Sequence, residues 1–295
     1  MNAPKTHRDT LLVEQATVLS HQVFAGDQNL LRLAAPRVAE RALPGQFVHI
    51  DCGQPMMLRR PLSLMRVDRK QGWIELLYKK VGAGTRLLAQ RVPGDEINLL
   101  GPVGNCFQLH DDYRRPLLLG GGVGMPPMLF LAESLRRQKE IQPQVLLASE
   151  VPFPFNPEPS TIMIDGMPAG VIATMPLLDD WGVPARLASN QGFPGCFDGF
   201  ITDLARHWLS SLAASELALV EVFACGPTPM LKAVQQLAAE FELPSQLSLE
   251  EYMACAVGGC AGCVVPISGS QGVAMKRVCV DGPVFAGDRV VFDLG

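Results

Sequence analysis

Near Tyr113 the chain changes its pattern, and that change limits the folds open to it. Upstream, short β-prone runs occupy 11–24, 29–36, 45–52, 61–67, 73–81 and 95–104, each bounded by Gly, Pro, Asp or Asn. Many short strands separated by turn residues predict a closed antiparallel barrel. Downstream, buried-strand runs at 115–124 (ending in glycines), 144–149, 160–165, 185–189 and 220–226 alternate with helical spacing at 125–140, 197–213 and 228–243. Such alternation predicts a parallel sheet covered on both faces. The loop 150–160, EVPFPFNPEPS, is too rich in proline for regular structure. After Leu243 the chain turns rich in cysteine and glycine, with short strand-like runs at 264–268 and 289–294. The expected architecture is therefore an α+β multidomain chain, divided into 1–112, 113–245 and 246–295.

With 295 residues, 48% of them apolar, the chain can bury more than one core. A net charge of −4 and the lack of any basic run argue against a nucleic-acid footprint. The first ten residues are polar and lead into no apolar stretch, and no run approaches the ~18 apolar residues of a membrane span. A cytoplasmic protein is expected.

Four of the eight cysteines are scattered, and four lie close together near the end. The spacing is Cys255-x₄-Cys260-x₂-Cys263-x₁₅-Cys279. Zinc sites usually use paired C-x₂-C knuckles, and only one is present. The order C-x₄-C-x₂-C matches the plant-type 2Fe–2S arrangement, four thiolates on two irons. Ala256, Gly258, Gly259, Ala261 and Gly262 let a loop wrap closely and turn N–H groups inward. Zinc, or reduced cysteines in a packed core, are the alternatives.

Three further stretches suit nucleotides. LRRPLSL sets Arg59 and Arg60 ahead of a strand carrying Ser63, and LYKKVGAGT has Gly82, Gly84 and Thr85 in a tight turn. An arginine and turn amides can hold a diphosphate, though an exposed arginine pair or an ordinary turn is the plainer reading. LLLGGGVGMPPM runs from strand through Gly120, Gly121, Gly122 and Gly124 into a helix start. It departs from G-x-G-x-x-G, since the third glycine position holds Met125, yet it suits a diphosphate at a helix N-terminus. FACGPTPM puts Cys225, Gly226 and Pro227 at a second strand end, where ligands of parallel sheets bind. A buried structural cysteine is the plainer reading there.

Taken together these motifs resemble the ferredoxin-reductase superfamily. Within it, the order R-P-x-S, G-x-G-T, G-G-G-x-G-x-x-P, C-G-P-x-x-M and C-x₄-C-x₂-C-x₁₅-C is similar to electron-transfer subunits of class 1B dihydroorotate dehydrogenases, from about Leu12 to Leu294. The resemblance implies an FAD-binding barrel, an NAD-binding α/β domain and a small C-terminal 2Fe–2S domain. It implies FAD at Arg60, Pro61, Leu62 and Ser63, at Leu77, Tyr78 and Lys79, and at Gly84 and Thr85. NAD is the implied co-substrate, and Cys255, Cys260, Cys263 and Cys279 the implied cluster ligands. Leu62 stands where many superfamily members carry an aromatic residue. The implied activity is that of an oxidoreductase subunit in pyrimidine biosynthesis, with no protein acid or base. Electrons pass from an FMN-containing catalytic partner through cluster and FAD to NAD, in a hetero-oligomer. Reductase subunits of a sulfhydrogenase or of a ferredoxin:NADP oxidoreductase share these motifs. Glu150, just past a predicted strand, is either an acceptor for a ribose hydroxyl, which would favour NADH, or equally a surface carboxylate, which leaves NADH and NADPH both open.

Overall fold

The computed structural model describes residues 11–293; the polar first ten residues and Leu294, the end of the predicted strand 289–294, lie outside them. The first third closes into an antiparallel barrel. Its strands are β1 (Leu12–Phe24), β2 (Gln28–Ala34), β3 (Phe47–Ile50), β4 (Arg60–Asp68), β5 (Trp73–Lys79) and β6 (Glu96–Val103), in the order β1-β2-β5-β4-β3-β6. Alternation drives it: Leu12, Glu14, Ala16 and Val18 of β1 are buried while Val13 between them is exposed. Two short helices, α1 (Pro36–Arg41) and α2 (Ala83–Leu88), were not predicted, because six residues hold too little periodicity to read. A strand residue caps the first: Glu14 accepts hydrogen bonds from the backbone N–H of Arg37 at 3.0 Å and of Val38 at 2.8 Å.

The middle of the chain runs β7 (Arg115–Gly121), α3 (Met125–Leu135), β8 (Gln144–Ala148), the two-residue strands β9 (Glu158–Pro159) and β10 (Ala173–Thr174), α4 (Pro176–Asp180) and β11 (Ala185–Ala188). It continues through α5 (Ile201–Ser211), α6 (Ala214–Leu217), β12 (Val220–Cys225), α7 (Thr228–Glu240) and β13 (Ser245–Ser248). Strands β11-β8-β7-β12-β13 pair in parallel. Alternate residues of β7 face opposite ways. Leu117 and Leu119 join the core beneath α5 and α7, while Leu118 joins the core beneath α3. The expected two-sided cover is present.

Three expectations at the level of elements are corrected. Residues 160–165 do not form a strand. Side chains take backbone groups there instead: Asp179 accepts from Thr161 N at 3.0 Å, Ser160 Oγ accepts from Ile162 N at 3.1 Å, and Arg186 donates to Ile162 O at 2.8 Å. The loop 150–160 is not wholly irregular, since Glu158–Pro159 pairs with β10. At the C-terminus, β14 (Val264–Gly269) and β15 (Gly272–Arg277) form a hairpin, and the next strand is β16 (Val284–Ala286). Of the predicted strand 289–294, the described residues keep only an isolated bridge, Ile267 to Val290.

Strand β16 pairs antiparallel with β13 and becomes the edge of the large sheet. The buried residues of the C-terminal segment, among them Met253, Cys263, Val265, Ile267 and Cys279, share one core with the sheet and with Phe47 of the barrel. The segment thus borrows its core, which answers how so short a stretch stays folded.

Candidate functional site

The four clustered thiols come together on the loop between β13 and β14 and just past β15. They meet as two pairs. Cys263 and Cys279 are buried with their sulfurs 3.4 Å apart. The Cys260 N–H lies 3.4 Å from the Cys255 sulfur, and that of Gly262 lies 3.4 Å from the Cys260 sulfur. Among the described residues, no three His, Cys, Asp or Glu side chains group as one metal ion needs. Two pairs suit two irons, as in a 2Fe–2S cluster.

The backbone is shaped for the same purpose. Gly258 has φ +80°, and Ala256 and Ala261 hold φ +55° and +51°, values that residues with a side chain seldom adopt. These turns bring N–H groups to sulfur. Burial acts to raise the Cys255 thiol, yet the N–H groups of Val257, Cys260 and Gly259 bring it down to about 6. Burial, then the neighbouring Cys263, push Cys279 up to about 12, with the Gly258 N–H acting in the opposite direction. Arg277 closes the loop, donating to Gly258 O at 3.1 Å and to Asp281 Oδ2 at 3.1 Å.

The flavin motif separates into a structural arginine and a free one. Arg59 is spent on β6, donating to Asn98 O at 2.9 Å and to Asn98 Oδ1 at 2.5 Å. Arg60 donates only to carbonyls of its own neighbours, Leu58 at 2.8 Å and Arg59 at 3.1 Å, and no carboxylate among the described residues pairs with it. Its stem crosses the start of α2, where a Cβ on Gly84 would sit 2.9 Å from Arg60 Nε. A half-buried guanidinium without a counter-ion beside a glycine turn fits a diphosphate. Thr85 holds that turn, its hydroxyl accepting from Val81 N and Gly82 N at 3.1 Å each.

On β4 the residues divide by face. Leu62 packs in the barrel core, which removes its side chain from any stacking role. Pro61 and Ser63 lie on the other face, half-buried. On β5, Leu77 belongs to the core shared with α3, Lys79 is half-buried, and Tyr78 is buried inside the barrel. The Tyr78 hydroxyl meets His21 Nε2 at 2.9 Å, and His21 Nδ1 lies 2.8 Å from Arg91 O. A carbonyl only accepts, so Nδ1 donates to Arg91 O and Nε2 faces the phenol hydroxyl. Burial holds the phenol well above its ordinary range.

The two glycine-bearing strand ends touch. Strands β7 and β12 are neighbours, and Cys225 pairs with Gly120. A Cβ on Gly124 would collide with the Cys225 carbonyl and come within 2.6 Å of Gly226 N, while one on Gly121 would strike the Met230 sulfur. Gly122 adopts φ +55°. Helices α3 and α7 start side by side here, yet Pro126, Pro127 and Pro229 supply no N–H. The turn is thus built for close approach of a planar ligand more than for a ring of donors. Cys225 is fully buried, and burial, with the nearby Glu250 carboxyl, raises its thiol well above the ordinary value.

The sequence reading did not single out Glu250 or His49. Glu250 is exposed just past the end of β13, and the protein around its position acts to push its carboxyl above the ordinary range. Nothing in its sequence context marks it, since the strand that delivers it, β13, is the polar run SQLS. His49 occupies an ordinary strand position, and only the packing above it makes it unusual. Glu150 is exposed at the C-terminal end of β8. The proline-rich stretch beyond it ties the sheet to the barrel: Gln28 Nε2 donates to Pro152 O at 2.7 Å, and Phe153 is buried against the α3 face.

Comparison with known proteins bears on these sites. Residues 250–291 match the family described as the iron-sulfur cluster binding domain of dihydroorotate dehydrogenase B. Among similar relatives is the protein of Desulforamulus reducens named dihydroorotate dehydrogenase B (NAD(+)), electron transfer subunit. It is 33% identical over 287 residues, 95% of this chain and 99% of that one. A protein of the same name from Bacillus caldolyticus is 38% identical over 283 residues, 94% and 98% of the two chains. Among solved structures, an NADH-dependent reduced ferredoxin-NADP oxidoreductase is similar with a TM-score of 0.75 and 26% identity, over 95% of this chain and 90% of that one. The ferredoxin reductase of carbazole 1,9a-dioxygenase shares the fold, with a TM-score of 0.60 and 20% identity over 79% and 67%. With near full-length similarity to relatives of one name, and that family's cluster segment in place, the chain belongs to the electron transfer subunits of dihydroorotate dehydrogenase B.

Proposed function

We propose that this chain carries electrons between a catalytic dihydroorotate dehydrogenase subunit and NAD, as the flavo-iron-sulfur half of a hetero-oligomer in pyrimidine biosynthesis. FAD supplies hydride exchange with NAD and single-electron exchange with a 2Fe–2S cluster when both are bound. The residues of this chain bind, orient and insulate. Arg60, Pro61, Ser63 and the Gly84–Thr85 turn, with Leu77 to Lys79 behind, hold the flavin. Gly120 to Gly124 and Cys225 to Pro227 admit the nicotinamide, and Cys255, Cys260, Cys263 and Cys279 ligate the irons. Residues 1–112, 113–245 and 246–295 are the units of this division of labour. The observation that carries the reading is the meeting of four thiols as two pairs, ringed by inward N–H groups, in the segment that matches the iron–sulfur family.

The protein works in the cytoplasm; in support, no helix among the described residues is long and apolar enough to cross a membrane. Co-expression with the catalytic subunit tests the proposal. The purified complex is expected to contain FAD and 2 irons per copy of this chain and to reduce NAD⁺ with dihydroorotate, while this chain alone does not. A complex that forms with a hydrogenase or ferredoxin-linked partner, and not with that subunit, would overturn it.

A further inference from the structure

Strand β3 divides its side chains between two environments. Val48 and Ile50 fill the barrel core, whereas Phe47 joins the core that holds Met253, Ala256 and Cys263. By alternation His49 lies on the Phe47 side. It is 1% exposed. Its cross-strand partners are Pro61 of β4 and Leu100 of β6. The ring approaches the backbone of Arg59 and of Met253. Neither approach reaches hydrogen-bond geometry, and both ring nitrogens are without a partner.

Buried polar groups are almost always paired. A leucine or methionine fills such a space without that cost, so an imidazole with two orphan nitrogens needs a reason. Burial, and after it the Arg59 charge, bring the ring down to about 4, so it is neutral at ordinary pH. A neutral imidazole has one donor and one acceptor. Its neighbours place it at a junction: Pro61 belongs to the strand assigned to the flavin, and Met253 stands two residues before Cys255.

We propose that His49 is a positioning residue for electron transfer, its single ring N–H held by the Met253 carbonyl in the loaded protein, so that the cluster segment is fixed against strand β3, next to Pro61 of β4. The inference rests on the FAD and 2Fe–2S reading above. Groups that orient metal ligands from behind control both the geometry and the electronics of a centre. Electron transfer between two centres depends steeply on their separation, so a loose cluster segment slows it.

The test uses the full chain, loaded and in complex with its catalytic subunit, as His49→Leu and His49→Gln. Both variants are expected to keep wild-type FAD and iron. In His49→Leu, electron passage from NADH-reduced flavin to the cluster slows at least ~5-fold, and the EPR line shape of the reduced cluster changes. His49→Gln, whose amide N–H reaches the same carbonyl, is expected to stay within about 2-fold with a wild-type spectrum. The inference is overturned if His49→Leu behaves as wild type, or if His49→Gln is impaired as much as His49→Leu, which would make bulk and not the donor decisive. Should His49→Leu not fold, His49→Met takes its place with the same two outcomes. Wild-type protein lacking FAD or cluster would overturn the underlying reading instead.

Discussion

The glycine turn at the sheet edge and the cysteine loop beyond it are both ligand sites by sequence, but they keep their shapes by different means. At the turn, Gly120, Gly121 and Gly124 are buried at the end of β7, Gly120 pressed against Leu147 of β8 and Met125 of α3, and Gly121 and Gly124 against β12 and α7. Packing defines that site, with or without a nucleotide. On the cysteine loop, Cys260 is exposed, Val257 is 52% exposed, and β15 beside it is exposed along most of its length. Two alanines there hold a left-handed backbone, at roughly 1 kcal/mol or more each. Between Val257 and Gly262 the loop has little apolar cover, and on the proposed function its shape there depends on its ligand, because metal–thiolate bonds formed only in the folded state stabilise that state. The comparison separates a site made by close packing from one made by its cofactor.

The largest expected effect follows on the cysteine side. Cys260 is exposed, so Cys260→Ser removes almost no packing, and any consequence must come through the metal. Iron content is expected to fall to near zero, FAD to remain, and the segment beyond Leu249 to become sensitive to protease. Iron and flavin quantification with limited proteolysis checks this. Unchanged iron would break the ligand assignment and the comparison with it.

On the glycine side the corresponding change is Gly124→Ala. Its Cβ meets main-chain atoms of Cys225 and Gly226, which cannot swing aside as a side chain can. A loss of about 2–3 kcal/mol in urea unfolding is expected, with iron content unchanged. A stability equal to wild type would mean that the edge is softer than its packing implies.

Legibility in the sequence followed the same division. The barrel, the parallel sheet and the thiol spacing were readable because each repeats a local pattern: alternation, strand–helix order, and fixed cysteine intervals. The pairing of the thiols was not, since Cys279 reaches Cys263 only after the β14–β15 hairpin folds back. Polar residues carried little usable signal. Residues 160–165 read as a strand, yet side chains take the Ser160 hydroxyl and the Thr161 N–H, and the polar run SQLS is a strand only because β12 and β16 flank it. His49 and Glu250 owe their environments to segments far away in the chain, which no local window contains.

The next effect tests whether the cluster segment loosens before the glycine edge. His49 titrates at about 4 in the fold against 6.5 when unfolded, because burial and then Arg59 disfavour its charged form. The unfolded chain therefore binds the extra proton first. The stability is fully present above pH 6.5 and is lost as pH falls toward 4, by on the order of 1–2 kcal/mol at pH 5. Hydrogen exchange near Met253 is expected to rise at pH 5 ahead of exchange in β7, and His49→Gln is expected to flatten that difference. Equal acceleration in both regions would place the weak point elsewhere.

The two arginines sharpen the comparison within the barrel. Arg60→Ala removes a guanidinium without a counter-ion, and FAD affinity is expected to fall about tenfold, roughly 1.4 kcal/mol, with the melting temperature of FAD-free protein little changed. Arg59→Ala frees the Asn98 groups and is expected to lower that melting temperature instead. Equilibrium titration of FAD-free protein with FAD, beside its thermal melt, distinguishes them. If the two variants trade places, the division into a structural and a binding arginine is wrong.

The smallest effect concerns the nucleotide. Glu150 lies two residues past the end of β8, at the edge where ligands of parallel sheets bind, and it is exposed. Its backbone is not free to drift: Val151 packs on Gly26, where a Cβ would lie 2.7 Å away, and Pro152 is tied to Gln28. A carboxylate on a fixed backbone accepts a ribose hydroxyl and repels a 2′-phosphate. The interaction is at the surface, so its weight is small, about 1 kcal/mol or less. Wild type is expected to prefer NADH to NADPH in kcat/KM with ferricyanide as acceptor, and Glu150→Ala to narrow that preference about threefold. The narrowing should come mainly from faster use of NADPH, because removing a repulsion helps the phosphorylated nucleotide more than losing one hydrogen bond harms the other. A wild type that prefers NADPH, or a variant whose ratio does not move, would leave the close-packed glycine edge, common to both nucleotides, as the only part of this site that recognises its ligand.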